Sequence, residues 1–534
     1  MKFQMPLTAC CVLLGLLAVI PQTSSEASNA PRSQAAGGSQ AVAYQINAAH
    51  TGSQSDTIAP PLVQRWSRDL GRHVSYPLIA EGKVFVTTGY EFASGSKLYA
   101  LDAATGATSW GPIDISGTRP WSGIAYDAGR VFAVNYDGVL RAFDAASGSL
   151  LWQTRLVPET EIWAFSTPPT ALNGLVYTAG SRFGGRVFGV SQLDGSIRWT
   201  ATVVVGDASS PAVSADGVYV SYTCSQAYDF APATGNLLWH HDSSCWGGGG
   251  KTPVLYGGRL YSRDSSHLGN VILNVNTGEE ITGFEAYQAP AFSGSTGYFT
   301  LTNSRLQARD VASGSIKWSF NGDNTLNSAP IVVNGYVYIA SNSGKLFALD
   351  AGTGANVWTG NLGSPFRFHS EGFDVSAPVP GLTAGHGMIL VPASTLLVAY
   401  ESVPAPMQLL GEASGPAIDQ VAAMDSVLFL RDSFPVVNGA NQINPASDRN
   451  TRVIIFVTNL QLAQGETSAT VVVNLIGSNS QVYDVAAEDV RPVPGFDFAQ
   501  VVFRLPDNLA VGTYTIRVKA HGQVSNAGTL RIRI

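Results

Sequence analysis

The 534 residues leave room for more than one domain, and 45% of them are hydrophobic while only 13% are charged, about half the usual share of ionised side chains. The surface must then be made polar by Ser, Thr, Asn, Gln and Gly. A net charge of −7 and the lack of any basic run argue against a nucleic-acid or anionic-membrane partner.

The chain opens like an export leader. Lys2 gives a thin positive start, residues 6–20 form a short apolar run, and Ser25, Ala27, Ser28 and Ala30 supply small residues for cleavage. This layout predicts a secretory signal over 1–30, with an apolar run too short for a comfortable membrane span. Cys10, after Leu7-Thr8-Ala9, faintly suggests a lipidation site, but the apolar stretch continues past it to Ile20. Cleavage removes Cys10 and Cys11 and leaves Cys224 and Cys245, an even number that predicts a disulfide in an exported protein. The expected location is secreted, periplasmic or at the cell surface. Residues 31–60, of which 31–55 are rich in Ser, Ala, Gly and Gln, read as a flexible linker or loosely packed arm.

From residue 61 to 403 one phrase recurs: small-apolar-Asp, two residues, Thr/Ser-Gly, three residues, Trp. It is written as Ala100-Leu101-Asp102 with Gly106 and Trp110, and as Ala142-Phe143-Asp144 with Gly148 and Trp152. It returns as Asp310 with Gly314 and Trp318 and as Ala348-Leu349-Asp350 with Gly354 and Trp358, while looser copies carry Gly195 with Trp199 and Gly235 with Trp239. One degraded copy has Gly278, with Thr282 in the tryptophan position. A period near forty residues marks a repeat architecture. Each period also holds two more strand-like runs, such as Lys83-Val84-Phe85-Val86 and Gly335-Tyr336-Val337-Tyr338-Ile339, so it contains four short strands, A to D. In the phrase, Gly supplies the φ > 0 turn, Asp caps it, and Trp wedges between neighbouring blades. These are structural roles, not acids or metal ligands.

Seven phrases give seven blades, and an eighth is implied. Residues 388–391 and 396–400 resemble strands B and C with no Trp strand after them, while Val63-Gln64-Arg65-Trp66-Ser67 resembles a D strand with nothing before it. The N-terminal strand is expected to complete the last blade and close the ring, leaving no free sheet edge.

The D–A and B–C connections of such blades share one face. Cys224 follows a B strand and Cys245 follows a D strand, so a bridge between them is geometrically reasonable. Trp121, Trp163 and Trp246 lie outside the repeat, each just before a strand A, and Trp246 leads through glycines 247–250 to Lys251. They predict an aromatic funnel with one cation, suited to a planar or sugar-like ligand; the competing reading is simple packing of loop aromatics. His369, Glu371 and Asp374 cluster before the last blade, where they could serve acid–base or metal chemistry or merely form a solvated loop. Asp374 joins the candidate funnel residues. His240 and His241, on an outer strand, are expected to be exposed. Gly250-Lys251-Thr252 mimics the end of a phosphate loop, but Cys245 stands where its first Gly belongs and the strand-to-helix context is missing.

Residues 404–424 shift to Pro and Gly and read as a linker. Over 425–534, short strands at 426–429, 452–457, 469–475, 499–505 and 514–518 predict a β-sandwich of immunoglobulin-like type.

The blade phrase resembles the pyrroloquinoline-quinone (PQQ) enzyme-like repeat, shared by quinoprotein dehydrogenases and by non-enzymatic outer-membrane assembly propellers of the BamB type. The tail segments 453–460, 512–515 and 524–526 resemble a C-terminal domain of secreted acidobacterial proteins. Quinoprotein alcohol dehydrogenases carry an adjacent Cys-Cys pair against the quinone; here the adjacent pair is Cys10-Cys11, in the leader. The resemblance therefore implies an all-β, eight-bladed propeller plus sandwich. Its expected role is binding or scaffolding at the funnel face, with a protein, polysaccharide or small molecule as partner and no cofactor. The alternative is a PQQ- and calcium-dependent periplasmic dehydrogenase of alcohols or sugars, and a weaker third is a funnel-sited hydrolase or lyase.

Overall fold

The computed structural model describes residues 39–534 except 162, 183, 205–208, 244–249, 265–268, 372–373, 404–405, 413–418, 440–447 and 463–465. The leader expected over 1–30, together with Cys245 and Trp246, lies outside the described residues. Two compact units divide between Glu401 and Ser402, two residues before the expected boundary.

The first unit is an eight-bladed propeller, each blade an antiparallel sheet. Blade 1 runs from Leu78–Ala80 through Lys83–Gly89 and Ser96–Asp102 to Thr108–Ile115. The middle strands are apolar on both faces because each blade is covered by its neighbours: Val84, Phe85 and Val86 are all fully buried. The recurring phrase builds the C–D hairpin. Asp102 Oδ1 accepts from the Thr105 amide at 2.9 Å and the Thr105 hydroxyl at 2.7 Å, and Gly106, at φ 70°, donates its N–H to the Asp102 carbonyl at 2.8 Å. Asp144, Asp310 and Asp350 cap their own turns in the same way.

The tryptophans join one blade to the next. Trp110 Nε1 donates to the Ala145 carbonyl at 3.0 Å, Trp199 to Pro232 at 2.8 Å and Trp318 to Ala351 at 3.1 Å. In each case the indole also lies flat on the turn glycine of the neighbouring blade, where a Cβ would come within 2.7 Å at Gly148, 2.4 Å at Gly235 and 2.5 Å at Gly354. Where Thr282 replaces the tryptophan, Gly314 has nothing within 4 Å of a built Cβ, and the Arg259 guanidinium bonds the equivalent carbonyl, that of Val311. The last blade pairs Leu62–Asp69 with Leu396–Ser402, Met388–Ala393 and Thr383–Gly385. Trp66, on that N-terminal strand, donates to Ala103 of blade 1 at 3.0 Å, so the ring closes as expected.

The stretch read as a loosely packed arm is ordered and buried from residue 39 on: Ala41, Tyr44, Ile46 and His50 are all 3% exposed or less. It travels round the channel past the innermost strand of each blade. Ser39 accepts from His386 of blade 8, Ala41 exchanges bonds with Ile79 of blade 1, and Val42 accepts from Tyr126 of blade 2. His50 Nε2 lies 3.3 Å from Thr170 of blade 3. Ala48, Ala49, Thr51 and Gly52 then accept from Val213, Leu255, Phe292 and Val332 of blades 4 to 7. Back at blade 8, Asp56 accepts from the Gly387 amide at 2.8 Å and from the Ser39 hydroxyl at 2.6 Å, which fastens the circuit. At Gly52 the path leaves no room for a side chain, since a Cβ there would come within 2.8 Å of Ala291.

In the second unit, a long strand, Val482–Pro492, pairs first with Val472–Ile476 and then, past a register shift at Ala487/Asp489, with Phe498–Arg504. The sheet thereby curls over a core that includes Val453, Val473, Val501, Phe503 and Ile516. Two expectations change here. Residues 426–429 form a turn rather than a strand, because Asp425 Oδ1 accepts from the Val427 and Leu428 amides. The expected linker 404–424 contributes the strand Gln408–Leu409, paired with Arg452–Thr458.

Candidate functional site

The arm's bonding partners lie toward the A–B turns, so it seals one end of the channel. The D–A connections and the ends of the B strands surround the other end, where the charged groups collect. Arg263, the penultimate residue of Arg259–Asp264 in blade 5, is fully buried. It bonds Glu371 Oε1 at 2.9 Å, the Thr252 carbonyl at 3.2 Å and the Tyr287 carbonyl at 2.6 Å. Glu371 Oε2 accepts the Thr252 amide at 2.9 Å, and the arm's Tyr44 hydroxyl lies 3.5 Å from Oε1. Burial alone would raise the Glu371 carboxyl, but Arg263, the Thr252 amide and Lys251 outweigh it and hold the group below its ordinary value. Tyr44 is pushed well above its ordinary value by burial and by the Glu371 charge.

Lys251 is 7% exposed, and its Nζ sits 4.6 Å from the Tyr287 ring centroid. Burial, with Arg263 adding to it, lowers its ammonium to about 8. The connection before the last blade ties itself across this end. Arg367 pairs with Asp374 at 2.9 Å and approaches Glu91 of blade 1 at 3.8 Å, and His369 Nδ1 lies 3.6 Å from Asp374. Phe368 stacks on Tyr287 at 5.7 Å. Despite burial, the adjacent His369 ring, the Ser376 hydroxyl that donates to its Oδ1 at 2.5 Å and the Arg367 charge keep Asp374 far below the ordinary carboxylate range.

The structure therefore unites Lys251 and Asp374 in one region but separates the other expected funnel residues from it. Trp121 is fully enclosed in the core with Ile124, Phe132 and Phe165, and so offers no ring face to a ligand. Its neighbour Ser122 already begins the innermost strand of blade 2, leaving no loop to carry the indole outward. Trp163 is half-buried; its Nε1 bonds Glu161 at 2.8 Å and Arg186 covers its ring at 5.1 Å. Trp246 is outside the described residues. Cys224 is disulfide-bonded, while Cys245 lies outside them. His240 is not freely exposed: it stacks on Tyr228 at 4.0 Å. Glu371 was flagged for acid–base or metal chemistry, but it is committed to Arg263, whose own sequence context gave no signal. No cluster of three or more metal-ligating side chains occurs among the described residues.

The rim of the same face carries cation–aromatic pairs from successive blades. Arg72 covers Tyr90 at 4.0 Å and Arg119 covers Tyr136 at 5.9 Å, beside Arg186 on Trp163. Tyr90 and Phe92 are 51% and 76% exposed, and Phe368 is 45% exposed. Among the described residues no helix is long and apolar enough to cross a membrane.

Comparison with known proteins agrees with this architecture. The BamB relative from Moranella endobia is 29% identical over 255 residues, covering 43% of this chain and 64% of its own length. The dehydrogenase subunit of the quinone-type alcohol dehydrogenase of Gluconacetobacter polyoxogenes is 25% identical over 319 residues, 52% of this chain but 38% of the relative. The chain thus spans less than two thirds of either relative. Among solved structures, a europium-containing methanol dehydrogenase superposes with a TM-score of 0.53 at 15% identity, over 66% of this chain and 89% of that one, a likeness of fold. The family model described as outer membrane protein assembly factor BamB matches residues 94–320 and 225–379, together more than half of the sequence, and the chain belongs to that family of PQQ-repeat propellers.

Proposed function

We propose that this protein is an exported envelope scaffold whose propeller holds a protein partner on the D–A face and carries out no chemistry there. The observation that carries this reading is the division of that face into a closed centre and an open rim. The centre is filled by the Arg263–Glu371 pair, which the arm's Tyr44 reaches from the sealed end, and by the Arg367–Asp374 tie. The rim presents Tyr90, Phe92 and Phe368 beside Arg72, the side-chain types that dominate protein–protein hot spots. The BamB relatives and the leader-like start support an envelope location, and a Cys224–Cys245 bridge would suit an oxidising compartment.

The 25% identity to the alcohol dehydrogenase subunit favours one second reading, a PQQ-dependent dehydrogenase. The residues present do not fit that cofactor: the channel centre is crossed by Arg263, Glu371 and Tyr44, and Trp121 has no free face for a flat ring system. A photo-crosslinking residue placed at Phe92 and, as a control, at Thr105 on the opposite face separates these readings in the native envelope. The scaffold predicts a discrete protein adduct from position 92 and none from 105. Equal labelling from both, or stoichiometric PQQ binding with calcium and dye reduction, would overturn it.

A further inference from the structure

We infer that the second unit carries a binding site for a neutral oligosaccharide strand, in a cleft floored by Phe496 and Phe498. The hairpin joining Val482–Pro492 to Phe498–Arg504 displays Phe496, 66% exposed. Phe496 lies 5.0 Å from Phe498, which in turn meets Phe456 at 5.5 Å. Phe456 and Phe498 sit on one sheet face because their strands pair with Thr458 opposite Phe498 and Phe456 opposite Gln500, so the period of two places them diagonally. Phe456 and Phe498 brace the outermost ring, which costs little entropy to hold since it needs only two torsions.

Beside this aromatic floor is a hollow of about 400 Å³ whose walls include Asn459, Gln461, Asp497 and His521. A second hollow of about 450 Å³ shares His521 and continues past Lys519, Asp484 and Gln523. The result is an elongated cleft rather than a closed pocket. His521 Nε2 meets Glu466 at 2.8 Å, Lys519 pairs with Asp484 at 3.0 Å, and Asp497 adds a further acidic side chain to the wall. Amide side chains that both donate and accept, set around an apolar ring face, complement a pyranose, which has one apolar C–H face and hydroxyls at its edge. Because the Lys519 ammonium is already paired and Asp497 adds an acidic side chain, nothing in the cleft selects for an anionic sugar. Its length favours several residues in a row over a monosaccharide.

The test uses the full chain. Titration calorimetry with cellohexaose, xylohexaose and chitohexaose, each compared with its monosaccharide, should show binding of at least one hexamer and markedly weaker binding of the monomer. Phe496→Ala, an exposed change that leaves the core intact, should weaken that binding about fivefold, the loss of one ring's stacking. Gln461→Ala provides a second, milder loss. Sulfated or uronic hexamers should bind no better than the neutral ones. Failure of all three hexamers to bind, affinity unchanged by Phe496→Ala, or displacement of a bound hexamer by an extended peptide at equal affinity would each overturn the assignment. The propeller's partner plays no part in this result, so the two proposals fail independently.

Discussion

The blade-joining role of the tryptophans makes a matched pair of substitutions decisive. Gly235 and Gly314 occupy the same turn position in different blades, at φ 70° and 71°. A Cβ at Gly235 would come within 2.4 Å of Trp199, whereas at Gly314 nothing lies within 4 Å, because Thr282 stands where the indole would be. Alanine at Gly314 therefore carries only the left-handed backbone penalty, about 1–2 kcal/mol. Alanine at Gly235 carries that penalty plus displacement of a packed indole, a further ~1–3 kcal/mol. With an unfolding entropy that scales with chain length, a unit of this size loses roughly 1.4 °C per kcal/mol. Scanning calorimetry of Gly314→Ala should then show a fall of about 1–3 °C, and Gly235→Ala about 3–7 °C. Equal falls, or a larger one at Gly314, would refute the idea that the glycine is needed for the indole as well as for the turn.

Other outcomes follow from the channel. His50, buried in the arm against the Pro253 carbonyl, is lowered to about 4, chiefly by burial. The unfolded chain thus takes up a proton below about 6.5 that the folded one refuses until about 4, so stability present at pH 7 drains away as pH falls through that window, by at most ~3 kcal/mol. Urea midpoints at pH 7 and pH 5 should converge in His50→Gln relative to wild type; an unchanged slope counts against the assignment. Glu371→Gln leaves the fully buried Arg263 guanidinium without its carboxylate and should cost about 3–5 kcal/mol, whereas the double change with Arg263→Met should recover much of it in the same denaturation assay. Acetic anhydride labelling followed by peptide mass spectrometry should give Lys251 a half-titration near pH 8, as its burial implies; a midpoint above 10 would contradict its packing against Tyr287. Peptide mapping without reductant should recover Cys224 joined to Cys245, and finding two alkylatable thiols would exclude the bridge.

The propeller was legible because its signal is repeated. A phrase such as Asp144, Gly148, Trp152 records a turn, a close approach and a wedge at fixed spacing, with the aspartate's partner in its own turn and those of the glycine and tryptophan one blade away. Even the exception could be read: Thr282 announced a missing indole, though not that Arg259 would take over its carbonyl. The arm was misread for a physical reason. Its Ser, Ala and Gly composition is the signature of a flexible linker, yet a small residue such as Gly52 also lets the backbone press against the inner strands, and no periodicity distinguishes the two. Trp121 was placed in a funnel because its position before strand A ignored how soon that strand begins. Arg263 and Glu371 are 108 residues apart, and nothing local marks either as the other's partner. The apolar run at 426–429 suggested a strand, but Asp425 captures the following amides and bends the chain away.

The arm's circuit also bears on how the molecule comes into being. A segment near the start of the chain needs docking sites on all eight blades, and the last of these emerges from synthesis or translocation some 330 residues later, given the Gly387–Asp56 bond. Until then the ring has neither its seam nor its central peg, and such long-range closure is slow. The newborn polypeptide must therefore wait with its first strand unpaired, a period in which holding factors at the exit site have something specific to protect.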